Sequence, residues 1–410
     1  MWLQKELVLP CSAVLKNRIA KSAMSENMSP RHHGPTEHLI NAYRQWARGG
    51  AGLVVTGNIM VDRNALAEPG NVVVDDRSDF ELLQRWASAA THKGSHIWAQ
   101  INHPGRQAIG AANKDVRAPS SVKTSVKGLS FLFKRPKELS GDEIEGIIER
   151  FGDTASILKD AGFTGIQIHG AHGYLISQFL SPLTNRREDK WGGSLDNRSR
   201  FVLDVYKNIR SKVGPDFPVG IKINSADFQR GGFTEEESSK VVQWLDSEGI
   251  DLVEISGGTF ERPAMTGTLQ KESTKEREAY FMAYTEKVRM SLKAPLMLTG
   301  GFRTVEVMNR AIAERVTDVV GLARPFALHP DLADKMLRGD ITHIEIPSVK
   351  TGIATIDNSG FVDIKWHEIQ IHRMGRGESP DPGLGGRAVI RHDLSTAVRF
   401  FASKLPFFAS

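Results

Sequence analysis

The feature that most constrains the fold of this 410-residue chain is a short apolar, β-branched run that recurs eight times. A segment with helical periodicity follows each run. In chain order the runs are NRIAKSAM, GLVVTG, HIWAQI, GIQIHG, VGIKIN, DLVEISGG, PLMLTG and DVVGLARP. Strand-like runs that alternate with helical segments are typical of repeated β–α units around a parallel sheet. Eight such units predict an α/β fold, a closed (β/α)8 TIM barrel.

Helix boundary signals agree with this repeat. Ser140 and Thr234 stand at the expected starts of two helices, and Gly162 and Gly249 follow their last turns. An open, doubly wound sheet is the alternative architecture. It is disfavoured because no G-x-G-x-x-G follows the first run.

Two segments lie outside the repeat. Residues 104–137 are rich in Gly, Pro, Ser and Lys and follow the third run, so we expect a capping loop or lid over the active face. The predicted barrel domain covers residues 1–340 and includes this cap. Residues 341–410 are expected to form a C-terminal extension with a late helix at LSTAVRFFASKL. The extension would pack either on the barrel or on a neighbouring subunit, so a homodimer stays open.

Composition excludes several classes of site and partner. The 53 basic residues are spread among 48 acidic ones and leave a net charge of +5, which suits an anionic ligand better than nucleic acid. Cys11 is the only cysteine of the sequence. It therefore cannot form an internal disulfide, a four-cysteine zinc site or a four-thiolate iron–sulfur cluster.

The location of the protein follows from signals that the sequence lacks. It contains no apolar stretch of transmembrane length and no signal-peptide core, so we expect a cytoplasmic protein without a membrane partner. The tripeptide Ser403, Lys404 and Leu405 resembles a peroxisomal signal. It ends five residues before the last residue of the chain, and such a signal is read only at the terminus.

The most informative candidate site is the segment IHGAHGY. His169 ends an apolar strand, and His172 and Tyr174 follow within one loop, at the rim where barrel enzymes collect catalytic groups. Two imidazoles and a phenol there could hold a carbonyl oxygen and deliver a proton nearby. A purely structural, hydrogen-bonded histidine is one alternative. A metal site built on His-x-x-His is the other, but no convincing third ligand is evident and none is predicted.

Two further polar residues stand on predicted strands. Gln100 ends the run HIWAQ and offers both a donor and an acceptor, which suits the edge of a heteroaromatic ring such as a flavin. Lys222 points either into the barrel mouth, where it would stabilise a ring that becomes anionic on reduction, or against a carboxylate such as Asp227.

The ends of the seventh and eighth runs predict a phosphate site. Loops after these strands often hold phosphate through glycine amides and a helix N-terminus. Arginine adds charge-assisted hydrogen bonds to such a site. The residues concerned are Gly300, Gly301, Ala323 and Arg324.

Several of these motifs together resemble the Old Yellow Enzyme family of FMN-dependent ene-reductases, over most of the chain from about Leu15 to Arg338. They are LKNRIAKSAMS, QINHPGR, IHGAHGYLISQFLSPLTNRREDKWGGSLDNRSRF, the GGF turn and GLARPF. SGGTFERPAM and REAYF also resemble one branch of the family.

The resemblance implies a role for each matching residue. His169 and His172 match the pair that holds the substrate carbonyl, and Tyr174 matches the proton donor. The implied FMN contacts are Ala23, Met24, Ser25, Gly57, Gln100, Lys222, Gly300, Gly301, Ala323 and Arg324.

The sequence also departs from the family pattern at four positions. Ser25 stands where relatives carry a flavin-tuning threonine or cysteine. Ala23 replaces a common proline, and Lys222 replaces a common arginine. Asn27 lies near the sequence position at which one branch of the family places a substrate-contacting tyrosine. Flavin potential and substrate preference are therefore where this chain is expected to differ.

The predicted function is an NADH- or NADPH-dependent reduction of the C=C bond of α,β-unsaturated carbonyl compounds, with tightly bound, non-covalent FMN. A flavin-dependent isomerase or a biosynthetic reductase on the same scaffold is the alternative. A dienoyl-CoA reductase is disfavoured by the single cysteine, and a metal-dependent hydrolase using His169 and His172 is the distant alternative.

Overall fold

The computed structural model describes residues 1–30, 32–126, 130–259, 261–262, 278, 281–353, 357 and 361–392. The fold centres on eight parallel strands in chain order. They are β1 (Ile19–Lys21), β2 (Leu53–Val55), β3 (His96–Asn102), β4 (Gly165–Gly170), β5 (Val219–Asn224), β6 (Leu252–Ser256), β7 (Leu296–Thr299) and β8 (Val319–Leu322). Each pairs with the next, and β8 pairs with β1 to close the barrel. The predicted (β/α)8 TIM barrel is confirmed, and every predicted run overlaps one of these strands.

Helices surround the barrel on its outer face. They are α1 (Glu37–Arg48), α2 (Phe80–Ala90), α3 (Gly141–Asp160), α4 (Leu175–Leu180), α5 (Leu195–Val213), α6 (Glu235–Ser247), α7 (Met282–Arg289), α8 (Val305–Ala313), α9 (Arg324–Leu328), α10 (Leu332–Arg338) and α11 (Phe361–Gly375). The predicted caps are confirmed, since Ser140 and Thr234 each accept from the third residue of their helix in a capping box. Gly162 and Gly249 follow these helices with positive φ angles of 93° and 90°.

Shorter strands and 3-10 turns lie between these strands and helices. Two-residue strands lie at Leu7–Val8, Val14–Leu15, Ile59–Met60, Val72–Val73, Arg117–Ala118 and Lys137–Glu138, and 3-10 turns lie at Trp2–Gln4, His92–Gly94, Gly105–Gln107 and Ser130–Leu132. The Leu7–Val8 hairpin packs its leucines against the lower barrel interior. This packing closes the end of the barrel opposite the catalytic rim.

The barrel interior is layered by polarity. An apolar layer at the lower end includes Leu53, Trp98, Leu252 and Met297, all essentially inaccessible to solvent. Above it, toward the carboxyl ends of the strands, the inward-facing side chains become polar. Barrel enzymes place their active sites at this end.

Two segments lie outside the repeat of strands and helices, residues 104–137 and the extension from residue 341. Arg117–Ala118 of the first segment pairs in parallel with Lys137–Glu138, which extends one residue past the predicted end of the segment, so the part that the structure describes has a small sheet of its own. From the C-terminal extension, α11 packs against α1 and α9 of the barrel. The predicted helix at 394–405 lies outside the described residues.

Among the described residues, no helix combines the length and the apolar composition that crossing a bilayer requires.

Candidate active site

Three ring side chains meet at the end of β4. The His169 and His172 ring centroids are 5.2 Å apart and nearly perpendicular, and the Tyr174 ring lies 4.8 Å from that of His169. His169 and Tyr174 are only 3% and 6% exposed. The structure therefore brings together the three residues that the sequence singled out as catalytic.

The loop that carries these rings is held by its neighbours. His172 has a left-handed φ of 62°, which is uncommon for a residue with a side chain. Its amide donates to Asn224 Oδ1 at 3.1 Å, and its carbonyl accepts from Gln107 Nε2 at 2.8 Å. At Gly173 (φ 78°) a Cβ would lie 2.2 Å from Gln107 Nε2, so glycine is required there. Gln107 belongs to the predicted cap, which thus helps to fix the histidine loop.

Both imidazoles are neutral donors at physiological pH. Burial, followed by the proximity of His172 and of the Lys222 ammonium, lowers the pKa of His169 well below its ordinary value. Burial and Lys222 do the same to the pKa of His172. Nδ1 of His169 accepts the Ala171 amide at 3.3 Å, so the ring proton is on Nε2. His172 Nε2 pairs with Ser256 Oγ at 2.8 Å, a contact that orients this ring.

Tyr174 keeps its proton at physiological pH. Burial, together with the negative charge of Glu68, raises the pKa of its phenol. Asn58 Nδ2 donates to Tyr174 Oη at 3.3 Å and fixes the oxygen near the end of β2. A protonated and positioned phenol at the barrel mouth can serve as a general acid.

A buried polar network spans the upper barrel interior. Gln100 Nε2 donates to Gln167 Oε1 at 2.8 Å, and Gln167 Nε2 donates to Glu254 Oε2 at 2.6 Å. Glu254 Oε1 accepts from Thr299 at 2.7 Å and forms an ion pair with Lys222 Nζ at 2.9 Å. The expectation that Asp227 could be the partner of Lys222 is wrong. The adjacent strand β6 instead places Glu254 opposite Lys222, in register.

The predicted contacts after β1 line a partly open surface. Ala23, Met24 and Ser25 are half-buried, although Lys21 and Ser22 just before them are fully buried. This change from buried to accessible occurs where the chain leaves the strand and enters the barrel mouth.

Gly57 lies against this segment, at the end of β2. Its amide donates to Glu26 Oε1 at 2.9 Å, and a Cβ there would lie 2.1 Å from Glu26 Oε2 and 2.2 Å from the Met24 carbonyl. The close approach of the two loops thus requires glycine at this position.

The predicted phosphate residues come together at the ends of β7 and β8, which are paired strands. Gly300 and Gly301 have φ angles of 109° and 95°, which glycine adopts readily because it has no Cβ. Ala323 is half-buried and precedes α9. The Arg324 guanidinium donates to Asp363 on α11 at 3.0 Å. The chemistry of this set fits a phosphate ester.

The metal interpretation of His169 and His172 finds no support in the geometry. Within the described ranges, the side chains close enough to share one metal ion are Glu368, His372 and His392, in the C-terminal extension. There the Lys365 ammonium lies 2.8 Å from Glu368, and His372 Nε2 contacts the Glu26 carbonyl at 2.6 Å. The lysine already supplies a cation to that carboxylate.

Sequence reasoning missed several residues of this site. Gln167 and Glu254 stand on strands that were predicted correctly, and their alternation with apolar neighbours in GIQIHG and DLVEIS could have indicated inward-facing polar groups. Glu68 and Lys365 come from a loop and from the extension. No local signal marks those two residues.

Together the fold and the site define a TIM barrel whose candidate catalytic groups lie at the carboxyl ends of the strands. Residues 11–341 match the NADH:flavin oxidoreductase / NADH oxidase family. The chain belongs to this family, and its resemblance to the Old Yellow Enzyme family is confirmed. The chain is therefore an NADH:flavin oxidoreductase, and FMN is the flavin of the family.

Individual relatives agree with this assignment. An NADH-dependent flavin oxidoreductase of Aspergillus parasiticus is 38% identical over 344 residues, which are 81% of this chain and 77% of the relative. An NADH-dependent flavin oxidoreductase of Hypocrea jecorina is 37% identical, over 79% of this chain and 86% of the relative. Among solved structures, morphinone reductase in complex with tetrahydroNAD superposes with a TM-score of 0.70 and 25% identity, covering 84% of this chain and 93% of that one.

A buried histidine makes the free energy of unfolding depend on pH. Burial lowers the pKa of His103, near the rim, from 6.5 to about 4. The unfolded chain therefore binds a proton that the folded chain does not, so stability is full above about pH 6.5 and falls as the pH drops toward 4. This residue should lower the free energy of unfolding by about 2 kcal/mol between pH 7.5 and pH 5, out of about 3 kcal/mol once the pH is below 4. Urea unfolding at pH 7.5 and pH 5 measures it, and His103→Asn should flatten the dependence. Equal pH dependence in the two proteins would contradict the assignment.

Proposed function

We propose that this protein is an FMN-dependent ene-reductase that takes hydride from NADH or NADPH and reduces the C=C bond of α,β-unsaturated carbonyl compounds. The observation that carries the proposal is the grouping of His169, His172 and Tyr174 within about 5 Å at one rim of the barrel. Two neutral N–H donors and one protonated phenol are the groups that such a reduction requires from the protein.

The histidine pair would bind the carbonyl oxygen of the acceptor. As hydride reaches the β-carbon, negative charge grows on that oxygen, and hydrogen bonds from neutral imidazoles strengthen with it. Preorganised donors of this kind stabilise a transition state by about 3 kcal/mol each. The Gln107 and Asn224 contacts hold the His172 backbone before substrate arrives, so little reorganisation is needed.

Tyr174 would supply the proton to the α-carbon. Its phenol is buried and protonated, and Asn58 restricts its direction. Because a phenolate would be poorly solvated there, the proton must be regained from water or a neighbouring group before the next turnover.

The residues present fit FMN. The side chains of Gln100 and Lys222 would contact the flavin ring. The backbone of Ala23, Met24, Ser25 and Gly57 would lie beside it. The phosphate would be held by Gly300, Gly301, Ala323 and Arg324. Bound there, FMN would carry the hydride from the nicotinamide to the alkene. Asp363 holds the Arg324 guanidinium in place, and Gln167 holds the Gln100 amide, so both side chains would be positioned before non-covalent FMN binds.

One anaerobic experiment tests the cofactor, the donor and the acceptor together. The purified yellow protein is titrated with NADH and separately with NADPH, and the loss of the visible absorption band of the flavin is followed. A panel of enones is then added. The proposal expects bleaching by at least one nicotinamide and return of the colour with an enone. Bleaching that no enone reverses, while oxygen does, would leave an NADH oxidase and overturn the ene-reductase assignment.

A further inference from the structure

A charged cluster joins the C-terminal extension to the barrel mouth. Lys365 Nζ on α11 lies 2.8 Å from Glu68 Oε1 and 2.8 Å from Glu368 Oε2, and the Ser25 hydroxyl donates to Glu68 Oε2. We propose that Lys365 is a positioning residue of the flavin site that acts through Glu68 to fix the direction of the Ser25 hydroxyl proton. This inference rests on the FMN site proposed above.

The cluster lies at the active end of the barrel. Ser25 follows β1, and Glu68 lies in the connection from β2 to α2, so both leave the carboxyl ends of adjacent strands. The neighbours of Glu68, Leu66 and Ala67, pack in one buried group with Tyr174. Lys365 therefore reaches a point between the first predicted flavin contacts and the predicted proton donor.

A count of protons explains the direction of the Ser25 hydroxyl. A serine hydroxyl has one proton to donate, and an ionised carboxylate only accepts. Since Ser25 gives its proton to Glu68, it can present only lone pairs to a ring beside it. The hydroxyl then cannot stabilise negative charge that develops on that ring.

Lys365 is what keeps Glu68 in this position. The Glu68 side chain is 22% exposed, so without a cation it could turn toward water. The Lys365 side chain is 9% exposed and is held from the other side by Glu368, whose side chain is 1% exposed and which also accepts from Asn27 at 3.3 Å. Burial opposes the charge on Lys365, but its two carboxylate partners outweigh burial and raise its pKa. The cation is thus permanent and rigidly placed.

The first test measures the midpoint potential of bound FMN by equilibration with a reference dye in wild type, Ser25→Ala, Glu68→Gln and the double variant. In Glu68→Gln, Lys365 donates to the amide oxygen, so the amide N–H faces the Ser25 oxygen and donates to it. The Ser25 hydroxyl proton then loses its acceptor and can turn toward the ring. We expect Glu68→Gln to favour the reduced flavin about tenfold, or about 30 mV for two electrons. Ser25→Ala alone should change the potential by less than about 10 mV, a fraction of one tenfold step.

The double variant separates the hydroxyl from simple charge removal. If Lys365 and Glu68 act through Ser25, Glu68→Gln should lose more than half of its effect in the Ser25→Ala background. An equal shift in both backgrounds would mean that the Glu68 charge acts directly, and would overturn the proposal. A large fall in potential in Ser25→Ala alone would overturn it as well, since the hydroxyl would then already donate to the ring.

The second test addresses Lys365 itself without leaving a buried carboxylate unpaired. The variant is Lys365→Met with Glu368→Gln, which should release Glu68 and reproduce the Glu68→Gln shift. Lys365→Arg, which keeps the charge, should retain the wild-type potential. Lys190→Met is the control, because Lys190 pairs with Glu145 at 3.0 Å on the exposed surface. A Lys365→Met/Glu368→Gln protein with bound FMN and the wild-type potential would refute the role of Lys365.

Failure of the two proposals would look different. Protein that binds no FMN would overturn both the proposed function and this inference. Protein that binds and reduces FMN normally, but whose potential ignores Glu68 and Lys365, would overturn this inference alone. Thermal unfolding of the FMN-free variants shows whether any shift follows a general loss of structure, and a shift that tracks such a loss counts against the proposal.

Discussion

Replacing Tyr174 with phenylalanine is expected to slow enone reduction by about 10²–10⁴-fold, the usual contribution of a positioned general acid. Reduction of the flavin by NADH should change little, because that half-reaction needs no proton from this phenol. Phenylalanine keeps the ring that packs against His169 and Met60, so the fold should be preserved.

Stopped-flow measurement of the two half-reactions checks this expectation. NADH is mixed with oxidised protein in one experiment, and an enone is mixed with reduced protein in the other. Tyr284→Phe is the matched control, since it removes a buried phenol that binds Ser238 at 2.7 Å, outside the site. Collapse of the NADH half-reaction in Tyr174→Phe, with the enone half-reaction intact, would show that the proton-donor role is wrong.

Removing either imidazole should be nearly as damaging. His169→Ala and His172→Ala each delete one donor to the carbonyl oxygen, and loss of one such donor typically costs about 10²–10³ in rate. Both variants should also bind phenols and enones more weakly, while FMN stays in place. His169→Ala leaves a cavity beside Tyr174, so His169→Asn, which keeps a donor, should recover part of the activity.

Steady-state kinetics and phenol titrations of the visible spectrum measure these effects. His92→Ala, at an exposed histidine between α2 and β3, is the control. Wild-type enone turnover in His169→Ala would remove the pair from the mechanism. Loss of FMN from both variants, with normal turnover after FMN is restored, would give them a cofactor-binding role instead.

Most of the fold could be predicted from the sequence because barrel strands are buried on both faces. Continuous apolar runs such as HIWAQI and GIQIHG indicate strands of a parallel sheet when helical segments separate them. Once the order of strands is known, residues at strand ends must share one rim. For that reason His169, His172 and Tyr174 could be singled out together from the sequence alone.

The partners of these residues could not be predicted in the same way. Lys222 pairs with Glu254 rather than Asp227 because the register between β5 and β6 decides the pair, and one sequence does not specify register across separate strands. Lys365 reaches Glu68 across 297 positions of the chain. Such a contact depends on how α11 packs against α1, which no local pattern records.

A flavin ring is expected to occupy the barrel mouth beneath the two imidazoles, and the number of FMN molecules bound per chain decides whether it does. Apoprotein is titrated with FMN while flavin fluorescence is followed, and bound flavin is counted after gel filtration. Saturation at one FMN per chain and a yellow protein are expected. A colourless protein that leaves FMN fluorescence unchanged at a several-fold excess of FMN would contradict it.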